Sequence, residues 1–173
     1  MTVDEICAAA GIAKGTFYFH FPSKQDLLVA AFHRGGTNIT AHAEQLLASG
    51  TQFVEAVLAL GDRIATNTES LPKPLVHRAT TESLAAIGTE DPDGERRRQR
   101  EAMIALVRAG QTAGDVRGGL HPAEVAMTLN WAILQAILVW SSTVETQPSL
   151  RSLVRRRLLI AMHGVATVDG NEF

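Results

Sequence analysis

Apolar residues recur at intervals of three and four along almost the whole chain, and no segment alternates strictly between apolar and polar. That is the helical period, so the pattern predicts an all-α fold. Thr2-x-x-Glu5 is a capping box that opens a first helix. Gly11 stands where that helix must stop, because the residue past a helix end favours positive φ. A brief second helix runs from Ile12 to about His20. Pro22 then breaks the chain, and Ser23-x-x-Asp26 starts a longer helix with Leu27, Leu28, Ala31 and Phe32 on its inner face. Gly35-Gly36 is its hinge or its C-cap, with the cap preferred.

Further on, Phe53, Val57, Leu60 and Ile64 fall at helical spacing. Pro72 and Pro74 punctuate the next junction, after which Leu75, Val76, Ala79 and Leu84 suggest another helix. Asp91-Pro92 offers an N-cap with proline at the first helical position, and Met103, Leu106, Val107 and Gly110 form that helix's later apolar face. Gly114 to Gly119 reads as a loop. Two last helices, about 122–145 and 148–166, begin near Pro122 and Pro148. Their apolar faces are too wide for one subunit's core alone, which implies a second copy packed on them. The pattern divides the chain into a small unit, 1–36, and a larger helical unit, 37–173.

Two short helices around a Gly-containing turn are the basic DNA-reading motif. Composition neither supports nor excludes that reading. The net charge is −2 and there is no basic tail, so any DNA contact must come from a local surface. Residues 1–34 set Lys14, Lys24 and Arg34 against Asp4, Glu5 and Asp26. Cys7 is the only cysteine, which fits a reducing cytosol. Asp4 and Glu5 stand where a signal peptide would carry cations. The apolar stretch Val125 to Trp140 is broken by Asn130 and Gln135, and is too short and too polar to span a membrane. A cytoplasmic protein without membrane contact is expected.

In the two-helix motif, Ile6, Ala10, Ile12, Phe17 and Phe21 are the positions that would pack the helices together, with Ala10 and Gly11 small where they come closest. Lys14, Gly15, Thr16 and Phe19 would then face outward, followed by Tyr18, His20 and Lys24 as polar donors. Cys7 would fill a small core position. No histidine pair sits at i, i+4 with a carboxylate partner, so no metal is expected. No Ser-His-Asp set, phosphate loop or HExxH motif occurs, so neither enzyme activity nor a cofactor is expected. The arginine runs at Arg96–Arg100 and Arg155–Arg157 read as solvated helix faces. Phe53, His77, Met103, Met127, Trp131 and Trp140 are candidates to line an apolar ligand pocket; ordinary core or a subunit interface accounts for each equally well.

The run Lys14-Gly15-Thr16-Phe17-Tyr18-Phe19-His20-Phe21-Pro22-Ser23-Lys24, within Ile6 to Leu28, resembles the DNA-binding segment of the tetracycline-repressor (TetR) family of bacterial transcription regulators. Ala109-Gly110-Gln111, Gly114-Asp115-Val116-Arg117 and His121-Pro122-Ala123-Glu124 more faintly resemble that family's junction between its seventh and eighth helices. The resemblance implies a DNA-binding domain followed by a helical ligand-binding and dimerisation domain. Lys14, Gly15 and Thr16 would lie near base edges. Thr2, Tyr18, His20 and Lys24 would hold phosphates. Ala13 departs from the Ser or Thr that usually caps the reading helix, at a cost of ~1 kcal/mol. The family also carries a helix before Thr2. With the sequence starting at Met1, that helix is expected to be absent, leaving a face around Ile6, Phe17 and Phe21 exposed. Two functions are therefore carried forward. One is a ligand-responsive regulator, most often a repressor, binding operator DNA as a homodimer and released by an apolar or aromatic inducer. The other is a helical small-molecule-binding or interaction protein without functional DNA binding.

Overall fold

In a computed structural model of the chain, residues 2–27, 30, 37–85, 94–143 and 148–163 are described. They form helices α1 (Val3–Ala10), α2 (Lys14–His20), α3 (Thr37–Ala48), α4 (Phe53–Glu69), α5 (Lys73–Ala85), α6 (Glu95–Ala113), α7 (Pro122–Ser142) and α8 (Leu150–His163). Residues 24–27 are also helical, and no strand occurs among the described residues.

The helix ends follow local chemistry. The Thr2 hydroxyl accepts from the Glu5 N–H (3.3 Å), and the Glu5 carboxylate accepts from the Thr2 N–H (2.6 Å), which satisfies two amides that an unfinished helix turn leaves open. Gly11 closes α1 at φ 65°, a backbone that costs other residues roughly 1–2 kcal/mol. The second helix starts at Lys14 rather than Ile12, because Ala13 is extended and its side chain offers no cap bond. Ser23 caps the next turn by accepting from the Asp26 N–H at 3.3 Å. The remainder of the helix expected up to Gly35, Gly35-Gly36 itself and the Asp91-Pro92 cap lie outside the described residues. Glu95 follows Gly94, which has φ 64°.

The main core is built by α3 to α8. Phe53, Val57 and Leu60 of α4, Met103, Leu106 and Val107 of α6, Leu129 and Ile133 of α7, and Leu150, Val154 and Leu158 of α8 belong to one buried cluster. Each such side chain contributes roughly 1.5–3 kcal/mol when fully buried. α7 packs on α5, α6 and α8, α4 packs on α8, and α3 packs on α6. α7 ends at Ser142, within the bounds of about 122–145 that the sequence suggested, but it is more apolar than that reading allowed. At 21 residues it is long and apolar enough to cross a membrane by length and composition. Seven of its residues, from Val125 to Trp140, are buried in this core.

The α6–α7 junction explains its own sequence. The Gln111 side-chain amide donates to the carbonyls of Arg117 (3.0 Å) and Leu120 (2.8 Å). The Asp115 carboxylate accepts from the Phe53 N–H at 3.2 Å, so the loop also caps the start of α4. A Cβ on Gly110 would stand 2.9 Å from three atoms of Phe53. Only glycine lets α4 approach α6 that closely.

Candidate nucleic-acid interface

The motif of α1 and α2 is held by a smaller core than the sequence suggested. Cys7 (5% exposed) and Phe17 (1%) are buried, and Cys7 fills the small core position expected of it. Ile6 and Phe21 are half-buried, while Ala10 and Ile12 are exposed. The expected close approach at Gly11 is absent: a Cβ there would meet nothing within 4 Å. Its positive φ, not crowding, demands glycine. Phe17 is the anchor, its ring edge-to-face with Tyr18 at 5.3 Å and tilted against Phe21 at 5.9 Å. The face expected to be exposed around Ile6, Phe17 and Phe21 is thus partly closed by the motif itself.

Phe17 turned inward sends the rest of α2 outward. Lys14, Gly15, Thr16, Tyr18, Phe19 and His20 are all exposed, Phe19 to 85% and Tyr18 to 52%. The Phe19 and His20 rings meet edge to face at 5.1 Å. Thr2 lies exposed at the start of α1 with its hydroxyl engaged in the cap, and Lys24 lies half-buried just past the turn. Six of the eight predicted DNA contacts therefore share one short helix, with one more on either side.

Two charged partners were not foreseen. The Lys14 ammonium lies 2.5 Å from the Asp4 carboxylate of α1. Asp26 accepts from the Ser23 hydroxyl at 2.6 Å and from the Arg78 guanidinium of α5 at 2.5 Å. The Ser23 hydrogen bond and then Arg78 hold the Asp26 carboxyl below the ordinary carboxylate value. Neither pair has a helical sequence spacing, so neither leaves a local signal.

The six predicted pocket residues do not converge. Phe53, Met103 and Trp140 are buried in the shared core. They are spread along it: Phe53 packs at Gly110, seven residues and roughly 10 Å along α6 from Met103. The Lys73 ammonium stands over the Trp140 ring at 4.8 Å. His77 is exposed, its Nδ1 3.4 Å from the Ser141 hydroxyl. Met127 (55% exposed) and Trp131 (46%) face solvent on α7. An open groove of about 640 Å³ lies on the outer face of α8, lined by residues that include Arg156, Leu159, Ile160 and His163.

Residues 1–31 match the family model of the bacterial regulatory proteins of the tetR family. No curated protein sequence matches the chain. Several solved structures share its fold. FadR from Thermus thermophilus, a TetR-family transcriptional repressor in complex with lauroyl-CoA, is 20% identical with a TM-score of 0.69, covering 100% of this chain and 90% of that one. FadR from Bacillus subtilis, a transcriptional regulator in complex with stearoyl-CoA, is 16% identical with a TM-score of 0.63, covering 95% and 89%. The regulatory protein TetR from Rhodobacter sphaeroides is 21% identical with a TM-score of 0.57, covering 92% and 87%.

Proposed function

We propose that this chain, whose residues 1–31 match the tetR-family model and whose fold is shared with TetR-family structures, is a ligand-responsive transcriptional repressor, cytoplasmic, that binds palindromic operator DNA as a homodimer. The observation that carries the reading is α2, where six of seven residues are exposed around the single buried anchor Phe17. A helix that served only packing would have no need of the large side chains Tyr18 and Phe19 on the faces turned away from Phe17. Here they stand in solvent beside Lys14, Thr16 and His20. Lys14, Gly15 and Thr16 meet base edges in the major groove with Phe19 beside them on the DNA-facing side, and the open space around Gly15 lets the backbone come close. Thr2, Tyr18, His20 and Lys24 hold phosphates, which fix register without reading sequence.

The second subunit covers α7 and α8. Among the described residues, Met127, Trp131, Val139, Leu159 and Ile160 are five of the nine exposed large apolar side chains, and all five lie on these helices. Such a concentration of apolar surface favours a self-complementary interface. The pair sets the two reading helices about one DNA turn apart, roughly 34–36 Å or a multiple of it. An inducer that prefers another spacing lowers operator affinity by its differential binding to the two states. An apolar or aromatic inducer is proposed, although Phe53, His77, Met103, Met127, Trp131 and Trp140 do not meet in one pocket within a single chain. Long-chain acyl-CoA thioesters are the first to try, because both FadR structures hold one.

The test is fluorescence anisotropy with the DNA upstream of this protein's own gene and a scrambled duplex of equal composition. Selective binding of the upstream duplex, weakened by an inducer, is expected. Equal affinity for the two duplexes would contradict the reading.

A further inference from the structure

Residues 2–27 hold three acidic side chains; Asp4 and Glu5 both suit the positive end of α1, and two of the three also make hydrogen bonds within the fold. Glu5 closes the capping box, and Asp26 ties Ser23 to Arg78. Asp4 is different: it stands 2.5 Å from the Lys14 ammonium, and the two side chains are 65% and 59% exposed. Lys14 is the first residue of α2, which has no acidic residue in its first turn and no side-chain cap. A cation at the positive end of a helix is unfavourable, so Lys14 does not serve the stability of α2. Its neighbour across the turn supplies the opposing charge.

We propose that Asp4 sets the specificity of DNA recognition by holding the Lys14 ammonium in the free protein, so that a duplex gains the Lys14 contact only by displacing the Asp4 carboxylate. The proposal rests on the DNA-binding reading above. Base edges that offer Lys14 a matched acceptor repay the displacement. A duplex that offers only phosphates at that point meets a carboxylate on the reading face and is disfavoured. Exposed ion pairs are worth little, so the effect is an adjustment of affinity by about two- to fivefold.

Binding to the upstream duplex and to its scrambled counterpart, each measured over a range of salt, tests this in the wild type, Asp4→Asn, Lys14→Ala and the double variant. Asp4→Asn leaves the Thr2–Glu5 cap intact, and circular dichroism checks that the fold is unchanged. It is expected to tighten the scrambled duplex about two- to fivefold, to tighten the upstream duplex less, and to steepen the salt dependence. In the Lys14→Ala background the same substitution is expected to do nearly nothing. Equal tightening of both duplexes, or the same tightening without Lys14, would overturn the proposal while leaving the DNA-binding reading intact. A wild type that binds both duplexes equally would overturn that reading and the proposal together.

Discussion

Arg78 of α5 reaches Asp26 across 52 residues of sequence, placing its Nη2 2.5 Å from the Asp26 carboxylate while its Nε holds Glu82 at 2.7 Å. Asp26 sits three residues past Ser23, in the helical turn that directly follows the α1–α2 motif. α5 in turn packs on α7. The guanidinium thus joins the motif's exit to the larger unit by a bond with fixed direction.

Arg78→Ala is expected to leave the thermal midpoint close to wild type, since both side chains reach solvent. It should instead speed amide exchange at residues 24–27. Arg78→Lys should rescue only in part, because one ammonium cannot reproduce the forked geometry. Unchanged exchange in Arg78→Ala would show that the bond does not order this turn.

Acid should loosen two ties at once. Asp62 of α4 accepts from Arg151 at 2.7 Å and Arg155 at 2.9 Å on α8. Burial pushes its carboxyl up, but the Arg151 hydrogen bond and the two arginine charges outweigh this and leave it below the ordinary 3.8. Asp26 is lowered as well. A carboxylate lowered in the native state stabilises the fold above its unfolded value, and that contribution is lost as pH falls through the native value. Stability is therefore expected to be flat above about pH 5 from these groups and to fall below it. An Asp26→Asn, Asp62→Asn variant should show a shallower acid limb in urea melts at stepped pH; an unchanged limb would refute the assignment.

Gly110→Ala is expected to destabilise by about 1–3 kcal/mol, because its Cβ would press on the buried Phe53. Gly118→Ala, with nothing within 4 Å, should be close to neutral. Urea unfolding compares them, and equal midpoints would mean that α4 and α6 are not packed as described.

Much of this was readable in the sequence because it is local. The Thr2–Glu5 box, the Gly11 stop, the Ser23 cap and Pro122 at the first position of α7 each depend on residues within a few places of one another. Ala10 and Ile12 stay exposed because they lie at the end of α1 and in the turn beyond it, while Cys7 of α1 and Phe17 of α2 fill the small core between the helices. Met127 and Trp131 could not be separated from Trp140 by periodicity, since α7 is apolar on more than one face. Asp4–Lys14, Asp26–Arg78 and Asp115–Phe53 are set by tertiary approach, and no spacing announces them.

Ile160, 65% exposed on α8, offers a direct probe of self-association. Ile160→Asp is expected to shift sedimentation velocity from dimer to monomer and to weaken a palindromic duplex far more than a half-site. A wild type that sediments as a monomer at every concentration would remove the dimer from the account.

The central claim, that the face of α2 with its flanking residues grips DNA, is tested most directly by the salt dependence of Lys24→Ala. Lys24 stands just past the turn, where it is assigned to a phosphate. Plots of log affinity against log salt for the upstream duplex are expected to lose about 0.9 in slope when Lys24 is removed, with binding weakened on all sequences alike. Identical slopes for wild type and Lys24→Ala would contradict the account.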